Sequence, residues 1–330
     1  MQNITLKRQN FYNIFNTELV PFYKSQESFR VKTLLITYIT KIVSCLLFSI
    51  TLYFALCTPI KYNHLFIDFI YVKCFIFVFT IGLLFYYSYK LNKLSQNTRK
   101  KYTEFIKKIC INQLLSEFPN YKQITETKEP KTWGITYSRI FDEVETSYIT
   151  GIFDEEFIND MYIYKTPKKV FYIGEILLKK EKETRYFQYS LTSFKGLVVS
   201  FDLYKQFNSK TLITNRFNPF QFYGINLKKI SSRIPHCKKF NIYTNNIETE
   251  EKEKISPELI KSLDNLKTTF KSKKVQLLIY GNKAILTIES SKDLFEIANI
   301  TKSYKNYSQL NQFFNELSNL ETFFESCETI

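Results

Sequence analysis

The chain has 330 residues, with 46 Lys and Arg against 31 Asp and Glu, a net charge of +15 at pH 7 and 45% hydrophobic content. That much apolar surface excludes a disordered chain. The seven glycines never fall within ten residues of one another, which excludes Gly-rich phosphate cradles, and six cysteines without a CxxC pair, with two histidines, exclude the common structural zinc motifs.

In chain order, Asn10 to Phe29 places Phe11, Ile14, Phe15, Leu19 and Phe22 at steps of three and four, the signature of one helical face. Pro21 removes a backbone donor there and is expected to kink the helix. Two long apolar runs follow. Ile42 to Ile60 carries no charge over nineteen residues, and Cys74 to Tyr89 none over sixteen. At about 1.5 Å per residue the first nearly matches a bilayer core of roughly 30 Å. The second reaches that length only with Leu65 to Val72, which brings Asp68 and Lys73 to the outer interface. A signal peptide does not fit, because the first run starts late, lacks a small-residue cleavage site and is followed at once by another run. The expectation is a transmembrane hairpin over residues 34–89, with spans at about 36–60 and 66–89. Residues 1–33 form a cytoplasmic amphipathic segment before it.

Lys and Arg set the orientation. Lys7, Arg8, Lys24, Arg30 and Lys32 precede the first run, and Lys90, Lys93, Arg99, Lys100, Lys101, Lys107 and Lys108 follow the second, while the turn holds Lys61 alone. The positive-inside rule puts both termini in the cytoplasm of a multi-pass inner-membrane protein. Residues 90–120 read as a basic juxtamembrane helix, and its seven cations are the expected contacts to anionic lipid headgroups.

From residue 121 a cytoplasmic α+β domain is expected. Tyr121 to Lys131 reads as a linker, and Tyr137 to Phe141 as a short helix. Met161 to Tyr164, Val170 to Leu178, Tyr186 to Leu191, Leu197 to Leu203 and Thr211 to Thr214 alternate as strands. Close spacing without intervening helices implies a mainly antiparallel sheet with flanking helices. Ser256-Pro257-Glu258 starts a helix, with Ser as cap and Pro in the first turn. Val275 to Tyr280 and Ala284 to Glu289 flank Gly281-Asn282 as a hairpin. Tyr307 to Phe324 forms a terminal helix whose acidic end opposes its dipole, so docking or fraying is expected there.

Three stretches resemble the bacterial domain-of-unknown-function 3137 family: FYNIFNTELVPFYKSQESFR, the strand FKGLVVSFD with Phe194 and Gly196, and the series FNIYTNN, ISPELIKSLDNL, VQLLIYGNKAILTIES and DLFE, with Phe240, Leu259 and Phe295 at apolar positions. The resemblance implies two membrane spans followed by a cytoplasmic α+β domain. It implies no catalytic residues.

Candidate chemistry is sparse. The acidic residues between Asp142 and Asp160 are the richest set, and Asp142, Glu145, Asp154 and Glu156 are its candidate acid–base or ion-holding members. A solvated surface is the simpler account of them. No cofactor, metal or nucleic-acid partner is expected. The functional expectation is a membrane-anchored binding or scaffold module that engages a protein partner or a second copy of itself. A membrane-bound enzyme using the acidic cluster is the alternative.

Overall fold

The computed structural model describes residues 2–57, 67–124, 155–183, 188–216, 227–229, 239–245, 255–295 and 307–328. The chain divides into two compact units. One comprises Met1–Phe11, Asn112–Glu296 and Ser308–Ile330, the other Tyr12–Ile111 and Ile297–Tyr307.

The second unit is a helix pair. Helix α1 (Gln2–Ile14), which belongs to the first unit as far as Phe11, leads through a π-helical turn, Phe15–Leu19, into α2 (Val20–Cys57), and α3 spans Ile67–Leu114. The π turn explains why Pro21 does not break the helix. The proline ring crowds the carbonyl four residues back, and here that carbonyl lies in a widened turn closed by Val20 N–H on Phe15 O. Phe22 meets Phe105 (6.3 Å between ring centroids), Phe29 meets Tyr102 (5.5 Å), and the hydroxyls of Ser44 and Ser88 share a hydrogen bond. Numbers rise on α2 as they fall on α3, so the helices run antiparallel. The second apolar run therefore continues into one long helix, in keeping with the absence of Pro and Gly from Lys90 to Phe118.

The first unit is α+β. Its strands are β1 (Tyr121–Gln123), β2 (Glu155–Lys165), β3 (Val170–Glu183), β4 (Gln188–Thr214), β5 (Lys228–Lys229), β6 (Asn241–Thr244) and β7 (Val275–Glu289). They form one antiparallel sheet in which β1-β2-β3-β4-β6-β5 are successive neighbours and β7 pairs with β4. Part of the expected linker is thus strand β1, and three expected strands merge into β4.

β4 and β7 are not straight. Glu289 N–H donates to Lys274 O (2.9 Å), so the two ends of a fifteen-residue strand touch. Fully extended, β7 would span roughly 50 Å. It must double back, and it does so at Gly281 (φ +53°), the first position of the expected Gly281-Asn282 turn, where a side chain would be strained. β4 bridges this hairpin: Gly196–Asp202 pair with one arm (Lys283–Glu289) and Thr211–Thr214 with the other (Gln276–Ile279). Between them the register breaks around Phe207 opposite Gly281, and β4 crosses over the hairpin's tip.

Two helices cover one face. Helix α4 (Pro257–Thr269) is capped by Ser256, whose Oγ accepts from Leu259 N–H (3.1 Å), and ends with Lys271 in the left-handed region (φ +50°). Lys271 N–H on Thr268 O and Ser272 N–H on Lys267 O complete a Schellman ending. Helix α5 (Ser308–Cys327) lays Phe323 and Phe324 on Phe171 and Phe201 of the sheet, with Phe171 and Phe324 centroids 4.2 Å apart. The opposite face carries a second apolar cluster around Ile176, Val198, Leu212, Leu278 and Ile285.

Candidate functional site

Between Thr33 and Ile50 of α2 the helix pair is polar inside and apolar outside, whereas towards its other end Tyr23, Tyr102 and Ile106 are buried. Thr33, Thr37, Thr40 and Ser95 are buried in it. Thr33 and Thr37 return their hydroxyls to carbonyls one turn back, so the seam carries no unmet donors there. Leu35, Ile39, Ile42, Leu46, Phe48 and Ile50 are exposed on α2, as are Val78, Phe79, Tyr86, Tyr87 and Tyr89 on α3. Small residues at the contact and large apolar residues outward are how helices pack in lipid. Among the described residues, one stretch, Leu6–Ile50, is long and apolar enough to cross a membrane, and only 17% of its most apolar window is buried. Two spans were expected; the side chains of α3 from Ile67 to Phe77 lie outside the described residues. At the end remote from Ser44 and Ser88 the pair encloses a Tyr23–Cys110–Tyr102 group. Burial pushes the Cys110 thiol up to about 11 and the Tyr102 phenol up to about 12.

Lys90, Lys93, Arg99, Lys100 and Lys101 lie exposed on α3, Lys107 is half-buried, and the side chain of Lys108 lies outside the described residues. Lys100 reaches Glu104 at 3.6 Å, an exposed pair of little energetic weight. Of the acidic candidates, Asp142, Glu145 and Asp154 lie outside the described residues. Glu156 is in β2 opposite Leu178, and its side chain is likewise not described. Among the described residues, no three His, Cys, Asp or Glu are grouped to hold a metal.

The α+β unit has buried ions that the sequence reading missed. Glu175 Oε1 accepts from Leu294 N–H (2.8 Å), and Glu316 Oε2 accepts from Phe295 N–H (3.0 Å) while its Oε1 takes Gln312 Nε2 (2.8 Å). Two carboxylates thus grip consecutive amides of a turn in which Phe295 has φ +53°. Charge-assisted bonds of this kind hold a strained turn in place. Lys169, 5% exposed, donates to Cys327 O (2.6 Å) at the end of α5 and lies over the Tyr204 ring at 5.0 Å. Burial lowers its pKa, while its position offsets the negative end of the α5 dipole. The acidic C-terminus of α5 therefore docks. An inward Glu in a β-alternating run and a Glu on the apolar face of α5 were the available signals.

Two clefts open on this unit. One, of about 480 Å³, is lined by Lys7, Glu117, Tyr164, Ser318, Glu321 and Glu325 among others. Lys7 Nζ pairs with Glu321 (2.6 Å) and sits 4.1 Å over the Phe118 ring, fastening α1 to α5 with the help of Phe11 against Phe313 and Phe314. Burial raises the Glu321 pKa against the pull of Lys7. The Tyr164 phenol is pushed up to about 12, chiefly by burial, with Glu321, Glu325 and Glu328 adding to it.

The other cleft, of about 350 Å³, lies where the β7 hairpin's ends meet β4, and is lined by Thr192, Ser193, Lys195, Lys271, Lys273 and Ser291 together with Glu289. Lys195 Nζ holds Asp293 Oδ1 at 2.7 Å. Gly196 allows the close approach there, since a Cβ on it would lie 2.0 Å from Ile288 O.

Residues 192–327 match the family model described as Protein of unknown function (DUF3137). This part of the chain belongs to that family. The match covers β4 through α5, and so includes the β7 hairpin, the Glu316 half of the turn clamp and the basic cleft. No curated protein matches the chain. Among solved structures, the crystal structure of the mycobacterial trehalose monomycolate transport factor A, TtfA, is similar over 65% of this chain and 90% of its own length, at 7% identity and a TM-score of 0.36. Likeness at that level carries no functional argument.

Proposed function

We propose that the protein is a membrane-anchored binding module whose DUF3137 domain works in the cytoplasm of a bacterial cell. Helices α2 and α3 cross the inner membrane as a two-span hairpin with both ends cytoplasmic, and the α+β domain engages a protein partner. The inverted polarity of α2 from Thr33 to Ile50 carries this reading: hydroxyls are inside and bulky apolar side chains outside, an arrangement that water penalises and lipid favours. The exposed tyrosines Tyr86, Tyr87 and Tyr89 suit an interfacial belt, and the cations from Lys90 to Lys108 follow it on the side where anionic headgroups would meet them.

Reporter fusions after residue 62 and at the C-terminus, together with carbonate extraction, test the anchor and its orientation. Membrane retention with an external signal at residue 62 and a cytoplasmic one at the C-terminus is expected. Release of the chain by carbonate, or an external C-terminus, would sink the proposal.

A further inference from the structure

We propose that the basic cleft at the base of the β7 hairpin is a binding site for the phosphate of an anionic lipid headgroup. The topology brings distant residues together there. Lys195 lies in β4 one residue before its pairing with β7 begins, Lys271 and Lys273 link α4 to β7, and Ser290 and Ser291 follow β7. The cleft's lining holds Lys195, Lys271 and Lys273 against Glu289, and Asp293 pairs with Lys195. Lys271 and Lys273 are exposed. Lys271 and Lys273 make no ion pair or hydrogen bond through their side chains among the described residues, so their charge is available. Thr192 and Ser291 are exposed at the wall and supply hydroxyl donors.

Two further observations point outward rather than to the fold. Lys271 occupies the left-handed end of α4, a position glycine fills at lower cost, so a cation stands there at the expense of backbone strain. From this base the β3–β4 ribbon, Lys179–Glu183 paired with Gln188–Thr192, projects past the body of the sheet. Its Tyr189 and Leu191 are 44% and 43% exposed beside Lys180 and Lys182. A phosphate in the cleft with an aromatic and a leucine entering the interface alongside is the chemistry of a lipid surface, because a free anion would have no use for the apolar ribbon. The lipid assignment rests on the membrane anchor proposed above, whereas anion binding at the cleft does not.

The test uses the full chain in a neutral detergent, titrated with short-chain phosphatidylglycerol, short-chain phosphatidylcholine and inorganic phosphate, with binding followed by native mass spectrometry. Phosphatidylglycerol should bind at least about tenfold more tightly than the other two. The triple variant K195Q/K271Q/K273Q should lose at least about tenfold. K122Q/K165Q/K168Q, which removes the same charge at the far end of the sheet, should stay within about twofold. Lys271→Gly should weaken binding while raising Tm, a combination that a purely structural lysine would not give. Asp293→Asn, which frees Lys195, should tighten binding and serves if the triple variant fails to fold. Phosphate or phosphatidylcholine binding as tightly as phosphatidylglycerol, or K195Q/K271Q/K273Q and Asp293→Asn both leaving affinity unchanged, would overturn the site. Carbonate release of the chain overturns the anchor instead, so the two failures are distinguishable.

Discussion

The helix pair and the sheet unit solve opposite solvation problems with the same residue types. In the sheet unit the large apolar groups point in: Phe171, Phe201, Phe323 and Phe324 are almost wholly buried, and the ions that go in with them, Glu175, Glu316 and Lys169, are hydrogen-bonded to backbone. In the α2–α3 pair Thr33, Thr37, Thr40 and Ser95 are buried and Leu35, Leu46 and Phe48 face out. Polarity alone therefore does not say which residues are inside.

The comparison can be pressed by substitution, beginning with the largest effect. Phe324→Ala removes a ring stacked on Phe171 and should cost about 3–5 kcal/mol in chemical denaturation. A polar replacement in the helix pair should act differently. Leu46→Lys, at a side chain 56% exposed, would be neutral on a water-facing surface, but in a bilayer it should cost roughly 2.5–3.5 kcal/mol in a membrane-insertion assay. Unchanged insertion would dissolve the contrast between the two regions. Glu316→Ala strips Phe295 N–H of its acceptor and should cost about 1–3 kcal/mol, read from the denaturation midpoint. Ser44→Ala, which removes the bond to Ser88, should cost only about 0.6 kcal/mol of helix-pair stability, the usual worth of such a bond in lipid.

The last effect is one of pH. Tyr164 has its pKa raised from 10 to about 12 in the folded chain. The protonated phenol is the form the fold accepts, so its contribution is complete below pH 10 and is lost as pH rises through 12. Tyr164→Phe should flatten the fall in stability across that window. An equally steep fall in the variant would assign it to other groups.

Much of this was legible in the sequence. The α4 start at Ser256-Pro257, the Gly281-Asn282 turn and the alternating strands are local signals, each set by a few neighbouring residues, and the structure carries them. What was not legible depends on partners far along the chain. Nothing near Tyr121 announces β1, because its pairing partner is Tyr164. The continuity of β4 follows from β7 lying beside both of its ends. Glu175 and Glu316 look like ordinary surface carboxylates until the turn at Leu294–Phe295 is brought between them. The basic cleft joins three segments far apart in the chain, around residues 192–195, 271–273 and 289–291, so no local motif could mark it.

The bridged β4 also bears on how the chain is made. Its two paired segments, Gly196–Asp202 and Thr211–Thr214, gain their common neighbour only from Val275–Glu289. A nascent chain that has completed α4 (Pro257–Thr269) thus presents two strand edges with nothing beside them until β7, which ends at Glu289, has been synthesised. Open edges of this kind recruit other strands. The sheet can close only after residue 289 has left the ribosome, and a chain cut short within β7 should aggregate rather than fold as a smaller version of the same domain.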